Sequence, residues 1–230
     1  MVHEWGLMAA KFKNVITEVD TTGSAQTLLT CPAGKTILIR TFHVANEDGS
    51  NASYYASVKD NSEDSSNSFP IFDFAITADN SATNINPIIL EESDVFYIQT
   101  DQDNQHVYIA YVELDTGTIQ RYRAVTKTLT TADATATILT CPTGSTIIIN
   151  YMNFFNNSGA SAAANSLTVT DSSASATKVL LDGTVADQAG IGMAQALVLE
   201  SGDAIKFYPD TQPHTAHISY LEIRNPPIRA

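Results

Sequence analysis

Thr27-Leu28-Leu29-Thr30-Cys31-Pro32-Ala33-Gly34-Lys35-Thr36-Ile37-Leu38-Ile39 returns later in the chain as Thr137-Ile138-Leu139-Thr140-Cys141-Pro142-Thr143-Gly144-Ser145-Thr146-Ile147-Ile148-Ile149. Nine of the thirteen positions are identical at an offset of 110. A second correspondence closes each copy. Ile109-Ala110-Tyr111-Val112-Glu113-Leu114 aligns with Ile218-Ser219-Tyr220-Leu221-Glu222-Ile223 at an offset of 109, so one net deletion separates the copies. Glu91, Asp94 and Asp101 likewise meet Glu200, Asp203 and Asp210. Repeats of about 20–50 residues mark solenoids, whose units cannot bury a core alone. A unit of about 110 residues is long enough to be a domain. The chain therefore divides into an arm, residues 1–10, and two units, residues 11–120 and 121–230. The bridge Asp115-Thr116-Gly117-Thr118-Ile119-Gln120 has no Pro or Ser run, so the units are expected to pack side by side.

Each unit reads as β. Runs of β-branched and aromatic residues alternate with Asn, Asp, Ser and Gly clusters. In the first unit the pattern predicts strands near 11–18, 25–31, 36–46, 53–59, 69–74, 86–90, 94–100 and 105–115, and the second unit repeats most of them. One helix could be drawn over 185–198, but Gly190 and Gly192 oppose it. The predicted fold is all-β: two tandem antiparallel β-sandwiches from an internal duplication, each a jelly roll in preference to other sandwiches.

Cys31, Pro32 and Gly34, and their counterparts Cys141, Pro142 and Gly144, are read as a structural hairpin turn. Pro presets φ and Gly accepts a positive φ. In the strand that follows, Ile37 and Ile39 share one face but Phe42 and Val44 share the other, which predicts a bulge or face switch. The two cysteines are equivalent sites in separate sandwiches, so they are expected to be reduced and packed.

Twelve Lys and Arg stand against 25 Asp and Glu, a formal net charge of −13. A nucleic-acid partner is excluded on that balance, because phosphates require a basic surface. No run of 18 apolar residues exists, which excludes a spanning helix and a membrane role of that kind. The first residues lack the basic start and apolar stretch of a signal peptide, so the expected site of maturation is a cytoplasm. The charge is lopsided. Residues 11–120 carry five basic and sixteen acidic side chains, net −11, whereas residues 121–230 carry seven and eight, net −1. The first unit is expected to face solvent and the second a partner surface, where unpaired charge is costly.

Candidate chemistry is sparse. His214 and His217 are three apart on a predicted strand and point to opposite faces, which argues against a shared metal. Asp101-Gln102-Asp103-Asn104 lacks the Gly and distal Glu of an EF-hand. Gly190-Ile191-Gly192 lacks the third Gly and the βα setting of a dinucleotide site. No catalytic residue, metal or cofactor is assigned, and an enzyme is disfavoured. Candidate interfaces are Trp5, Leu7 and Met8 in the arm and Pro226, Pro227 and Ile228 in the tail. The basic opening strands, with Lys11 and Lys13 matching Arg121 and Arg123, either pair with acids on a neighbour or blunt an edge strand.

The segments Leu28 to Asn46 and Ile138 to Asn156 share an apolar strand, a Cys-Pro-x-Gly turn, a β-branched strand and then Asn before a polar loop. This resembles small β-sandwich virion proteins of tailed bacteriophages, over about 20 residues per copy. The resemblance implies a structural role in a virion assembled in the host cytoplasm. It implies a capsid decoration (cement) protein, or else a neck, tail or receptor-facing component. Its partners would be the major capsid protein or other virion proteins, with a homo-oligomer, a trimer as first guess. A different class, a tandem carbohydrate-binding module, would need exposed aromatic platforms, for which Tyr54, Tyr55, Tyr108 and Tyr151 are the candidates.

Overall fold

A computed structural model of the chain describes residues 10–20, 22–61, 68–117, 120–159, 162–193 and 196–224. Every regular element among them is a β-strand. The first unit contributes β1 (Ala10–Val19), β2 (Gln26–Thr30), β3 (Lys35–Asn46), β4 (Ala52–Lys59), β5 (Phe69–Ile76), β6 (Asn80–Asn84), β7 (Ile88–Leu90), β8 (Val95–Thr100) and β9 (Gln105–Asp115). The second contributes β10 (Gln120–Leu129), β11 (Ala136–Thr140), β12 (Ser145–Asn156), β13 (Ala162–Asp171), β14 (Ala176–Ala186), β15 (Ala189–Met193), β16 (Leu197–Leu199), β17 (Ala204–Pro209) and β18 (His214–Arg224).

The first unit builds two sheets, ordered β1-β9-β3-β6 and β2-β8-β4-β5, with β7 also on β3. Since β6 and β7 both pair antiparallel with β3, they are one interrupted strand. The result is eight strands in two four-stranded sheets, with the chain crossing between sheets in the double Greek key of a jelly roll. The second unit repeats the plan as β10-β18-β12-β15, with β16 on β12, and β11-β17-β13-β14. Among the described residues no sheet mixes strands of the two units.

The structure departs from the sequence pattern in two places and agrees with it in a third. Residues 80–84 form a strand that the pattern does not mark, because Asn-Ser-Ala-Thr-Asn carries no apolar alternation. The stretch 185–198 agrees with the objection that Gly190 and Gly192 raise to a helix: its described residues hold the end of β14, then β15 and the start of β16. The Cys-Pro-x-Gly turn does not close a hairpin. Its amide bonds are those of a tight turn, with Lys35 N donating to the Pro32 carbonyl at 3.2 Å and Ser145 N to Pro142 at 3.1 Å. Gly34 and Gly144 have φ of +67° and +76°. Yet β2 pairs with β8 and β3 with β9, so the turn is a corner that carries the chain from one sheet to the other.

The face switch in the following strand is a β-bulge. Pairing of β3 with β9 slips between Ile39 and Thr41, and pairing of β12 with β18 slips between Ile149 and Tyr151. The extra residue lets Ile37, Ile39, Phe42 and Val44 all enter the first core. Ile147, Ile149, Met152 and Phe154 enter the second. Phe42 meets Phe96 edge-on at 5.2 Å, and Phe154 stacks on Phe207 at 4.4 Å. Asn46 and Asn156, the Asn that ends each copy of the motif, are buried and tie the next loop. Asn46 Oδ1 accepts the Asp48 N–H at 3.0 Å, and Asn156 Oδ1 the Ser158 N–H at 3.1 Å.

Candidate functional site

A third cluster lies between the units. Leu38, Ile89, Val112 and Leu114 project from the outer side of the first unit's β3, β7 and β9 onto Ala124 and Tyr122 of β10. Polar groups cross the same seam. One carboxylate oxygen of Glu91, just past β7, accepts the Ala124 N–H at 3.1 Å. The other lies 3.3 Å from Arg123 Nε. A second Arg123 nitrogen is 3.4 Å from Glu222, which also accepts from Arg224 at 3.3 Å. Burial pushes the Glu91 carboxyl up against the pull of Arg123.

Farther along, Asn153 Nδ2 donates to the Ile71 carbonyl of β5 at 2.6 Å. Thr126, His217 and Ser219 form a chain with 3.0 Å links, and Ser219 Oγ accepts the Ile89 N–H at 3.3 Å. Burial lowers the His217 pKa to about 4, so the imidazole is neutral and acts as a structural link. His214 faces the opposite way, 5.9 Å from Phe207 in the second core. The two histidines do not converge.

Where the seam opens, a cleft of about 360 Å³ is lined by Ile71, Asp73 and Asn86 from the first unit and Tyr151, Asn153 and Gly190 from the second. Burial and then Asp187 raise the Asp73 pKa, and burial raises that of Tyr151. The glycines of β15 are explained here. A Cβ on Gly190 would stand 2.7 Å from Asn153 Oδ1, and one on Gly192 would stand 3.3 Å from Met152 O. Gly190-Ile191-Gly192 lets β15 pass over the side chains of β12.

Lys11 and Lys13 lie on β1, and Arg121 and Arg123 on β10, each the outermost strand of its sheet. Both strands run antiparallel to an acid-bearing partner, with Lys11 opposite Glu113 and Arg121 opposite Glu222. Lys13 lies 2.5 Å from Glu113, and Arg121 Nε donates to the Gly117 carbonyl at 2.6 Å. Trp5, Leu7, Met8, Pro226, Pro227 and Ile228 lie outside the described residues. Cys31 and Cys141 are free and buried, each with Sγ 3.3 Å from the carbonyl four residues on, of Lys35 and of Ser145.

Of the acids that align between copies, Asp94 and Asp203 hold equivalent corners. Asp94 is buried and accepts the N–H groups of Asn61 at 2.9 Å and Glu91 at 2.8 Å. Asp203 accepts those of Ser172 at 2.9 Å and Glu200 at 3.0 Å. Asp101 accepts the Ser53 N–H at 2.7 Å, and Asp103 the Thr22 hydroxyl at 2.5 Å. Of the tyrosines considered as sugar platforms, Tyr54 and Tyr151 are buried, Tyr55 is half-buried and Tyr108 is at the surface. The polar groups of the seam are not apparent from sequence, except that Arg123 stands out as basic and Glu91 as a repeated acid.

No protein-family model matches the chain, and no curated protein matches it in sequence. Solved structures that resemble it are distant. The MCP of STIV aligns with a TM-score of 0.35 and 9% identity, covering 95% of this chain and 97% of that one. The major capsid protein P2 of bacteriophage PM2 gives 0.38 and 10%, covering 96% and 100%. PNGase F of Flavobacterium meningosepticum gives 0.37 and 11%, covering 94% and 96%. These neighbours, two viral capsid proteins and one glycosylasparaginase, are too remote for any of their activities to be carried over.

Proposed function

We propose that this chain is a non-enzymatic structural protein of a phage virion, one that binds and stabilises the capsid as a decoration protein. The observation that carries the reading is the use to which the buried ionisable groups are put. Glu91, Arg123, Glu222, Asp94, Asp203 and His217 all serve turns, strand edges or the seam between units. They build a rigid pair of jelly rolls, as an adhesive particle component requires. The resemblance of both Cys-Pro-x-Gly segments to phage virion proteins supports the same reading, and so does the split of charge between the units. In it the near-neutral second unit meets the major capsid protein and the acidic first unit faces solvent.

Quantitative mass spectrometry of purified particles, normalised to the major capsid protein, tests it. A copy number comparable with that of the shell protein is the expected result. Presence in only enough copies for a single ring would move the protein to the neck or tail, and its absence from particles would overturn the reading.

A further inference from the structure

The seam has two halves, and among the described residues each half recurs on the other unit with a more open counterpart. The first unit's contribution is Leu38, Ile89, Val112 and Leu114, all buried. The duplication places Ile148, Val198, Leu221 and Ile223 at those positions in the second unit. The pairing is the same, with Leu38 opposite Ile89 and Val112, and Ile148 opposite Val198 and Leu221. All four remain apolar, but Val198 is 56% exposed where Ile89 is 0%. A strand of the other sheet agrees: Phe69 and Pro70 of β5 are buried, whereas their counterparts Lys178 and Val179 of β14 are exposed.

The receiving half behaves likewise. Tyr122, Ala124, Thr126 and His217 take the first unit, and their counterparts are Phe12, Asn14, Ile16 and Tyr108. Thr126 is 2% exposed and Ile16 is 73% exposed; Phe12 stands at 86%. A depression of about 460 Å³ runs along this face beside Phe12, Asn14 and Tyr108. The ion pair also has its counterpart. Arg123 matches Lys13 and Glu222 matches Glu113, while Glu91 matches Glu200, which is exposed. Lys13 is bound to Glu113 as Arg123 is to Glu222, and among the described residues no second acid meets Lys13 as Glu91 meets Arg123 across the seam.

We propose that a second copy of this chain docks head to tail, its Ile148, Val198, Leu221 and Ile223 covering β1 at Phe12, Asn14 and Ile16, with Glu200 meeting Lys13 and the Asn14 N–H. The intermolecular contact repeats the internal one, so each copy continues the row of jelly rolls. Such a heterologous contact closes into a ring or runs on as a fibre. The inference does not rest on the virion role, and particle composition does not decide it.

Sedimentation velocity of the full chain tests the contact. Wild type is expected to form assemblies larger than a dimer. Phe12→Asp and Val198→Asp, both at exposed positions, are each expected to be folded monomers by circular dichroism. Mixed, they should form a one-to-one dimer that grows no further, because only one intact half of each kind is present. Glu200→Lys, which would set two cations against each other at the contact, should weaken assembly about tenfold or more. A wild type that stays monomeric at about 100 µM, where even weak interfaces assemble, overturns the proposal. So does a pair of single-face variants that fails to recombine.

Discussion

Arg123 lies 3.3 Å from Glu91 of the other unit and 3.4 Å from Glu222 of its own sheet, so one guanidinium fastens the seam and an edge strand together. Removing one partner of a largely buried pair leaves the other charge without compensation. Glu91→Ala also orphans the Ala124 N–H, which donates to Glu91 at 3.1 Å. The expected loss is about 2–3 kcal/mol. In calorimetry the unfolding of the two units should separate into two transitions, with the second unit melting as a separate body. One transition at the wild-type temperature would mean that the apolar contacts alone hold the units together.

The duplication and the bulge are legible in the sequence because they are written in residue identity and in the parity of apolar positions. Ile37 and Ile39 on one phase, then Phe42 and Val44 on the other, leave a shifted period that a bulge or a face switch would explain, and the pairing of β3 with β9 shows the bulge. Strand pairing is not legible in the same way. A Pro-x-Gly turn has the same local chemistry whether it closes a hairpin or turns a corner between sheets, and only the partners of β2 and β3 tell the two apart.

The seam is hidden for a different reason. Asn153, Thr126, His217 and Ser219 sit on the outward side of their sheet, where polar residues normally meet water. Here another jelly roll covers them and they bond to one another and to its backbone. Comparison of the copies holds a usable signal. Phe69-Pro70-Ile71-Phe72 is more apolar than Lys178-Val179-Leu180-Leu181 at the same place, as expected of the covered member.

The two thiols should be inert in the folded chain. Burial raises the Cys31 pKa to about 12 and also raises that of Cys141, so almost no thiolate exists near neutrality. A thiol-reactive dye added to native protein at about pH 8 should label neither cysteine, and urea should release both. Rapid labelling without denaturant would mean that the corners open on their own.

Gly190→Ala should destabilise through Asn153. The new methyl group would stand 2.7 Å from Asn153 Oδ1, and the side chain cannot withdraw without losing its 2.6 Å bond to the Ile71 carbonyl. The expected cost is about 1–3 kcal/mol. Gly183 of β14 supplies the control, since a methyl group there would meet nothing within 4 Å. Gly183→Ala should be neutral or stabilising by about 0.5 kcal/mol, from the lower entropy of the unfolded chain. Urea denaturation of the two variants should separate them clearly, and equal stabilities would show that Asn153 is not fixed at the seam.

Two buried groups give stability opposite slopes with pH. His217 has its pKa lowered from 6.5 to about 4, so between those values the unfolded chain binds more protons. Its neutral form stabilises the fold by up to about 3 kcal/mol above pH 6.5, a contribution lost as pH falls toward 4. Asp94 has its pKa raised from 3.8 to about 7, chiefly by burial, so over that interval the folded chain binds more protons. Its contribution is complete below pH 3.8 and is lost as pH rises through about 7. In wild type the two slopes offset each other between about pH 4 and 6.5. Removing one titrating group should expose the other. Relative to wild type, His217→Gln should lose least stability at low pH, and Asp94→Asn should lose least at neutral pH. Denaturation midpoints followed from pH 4 to pH 7 check both signs, and two difference curves of the same slope would refute the assignment of either group.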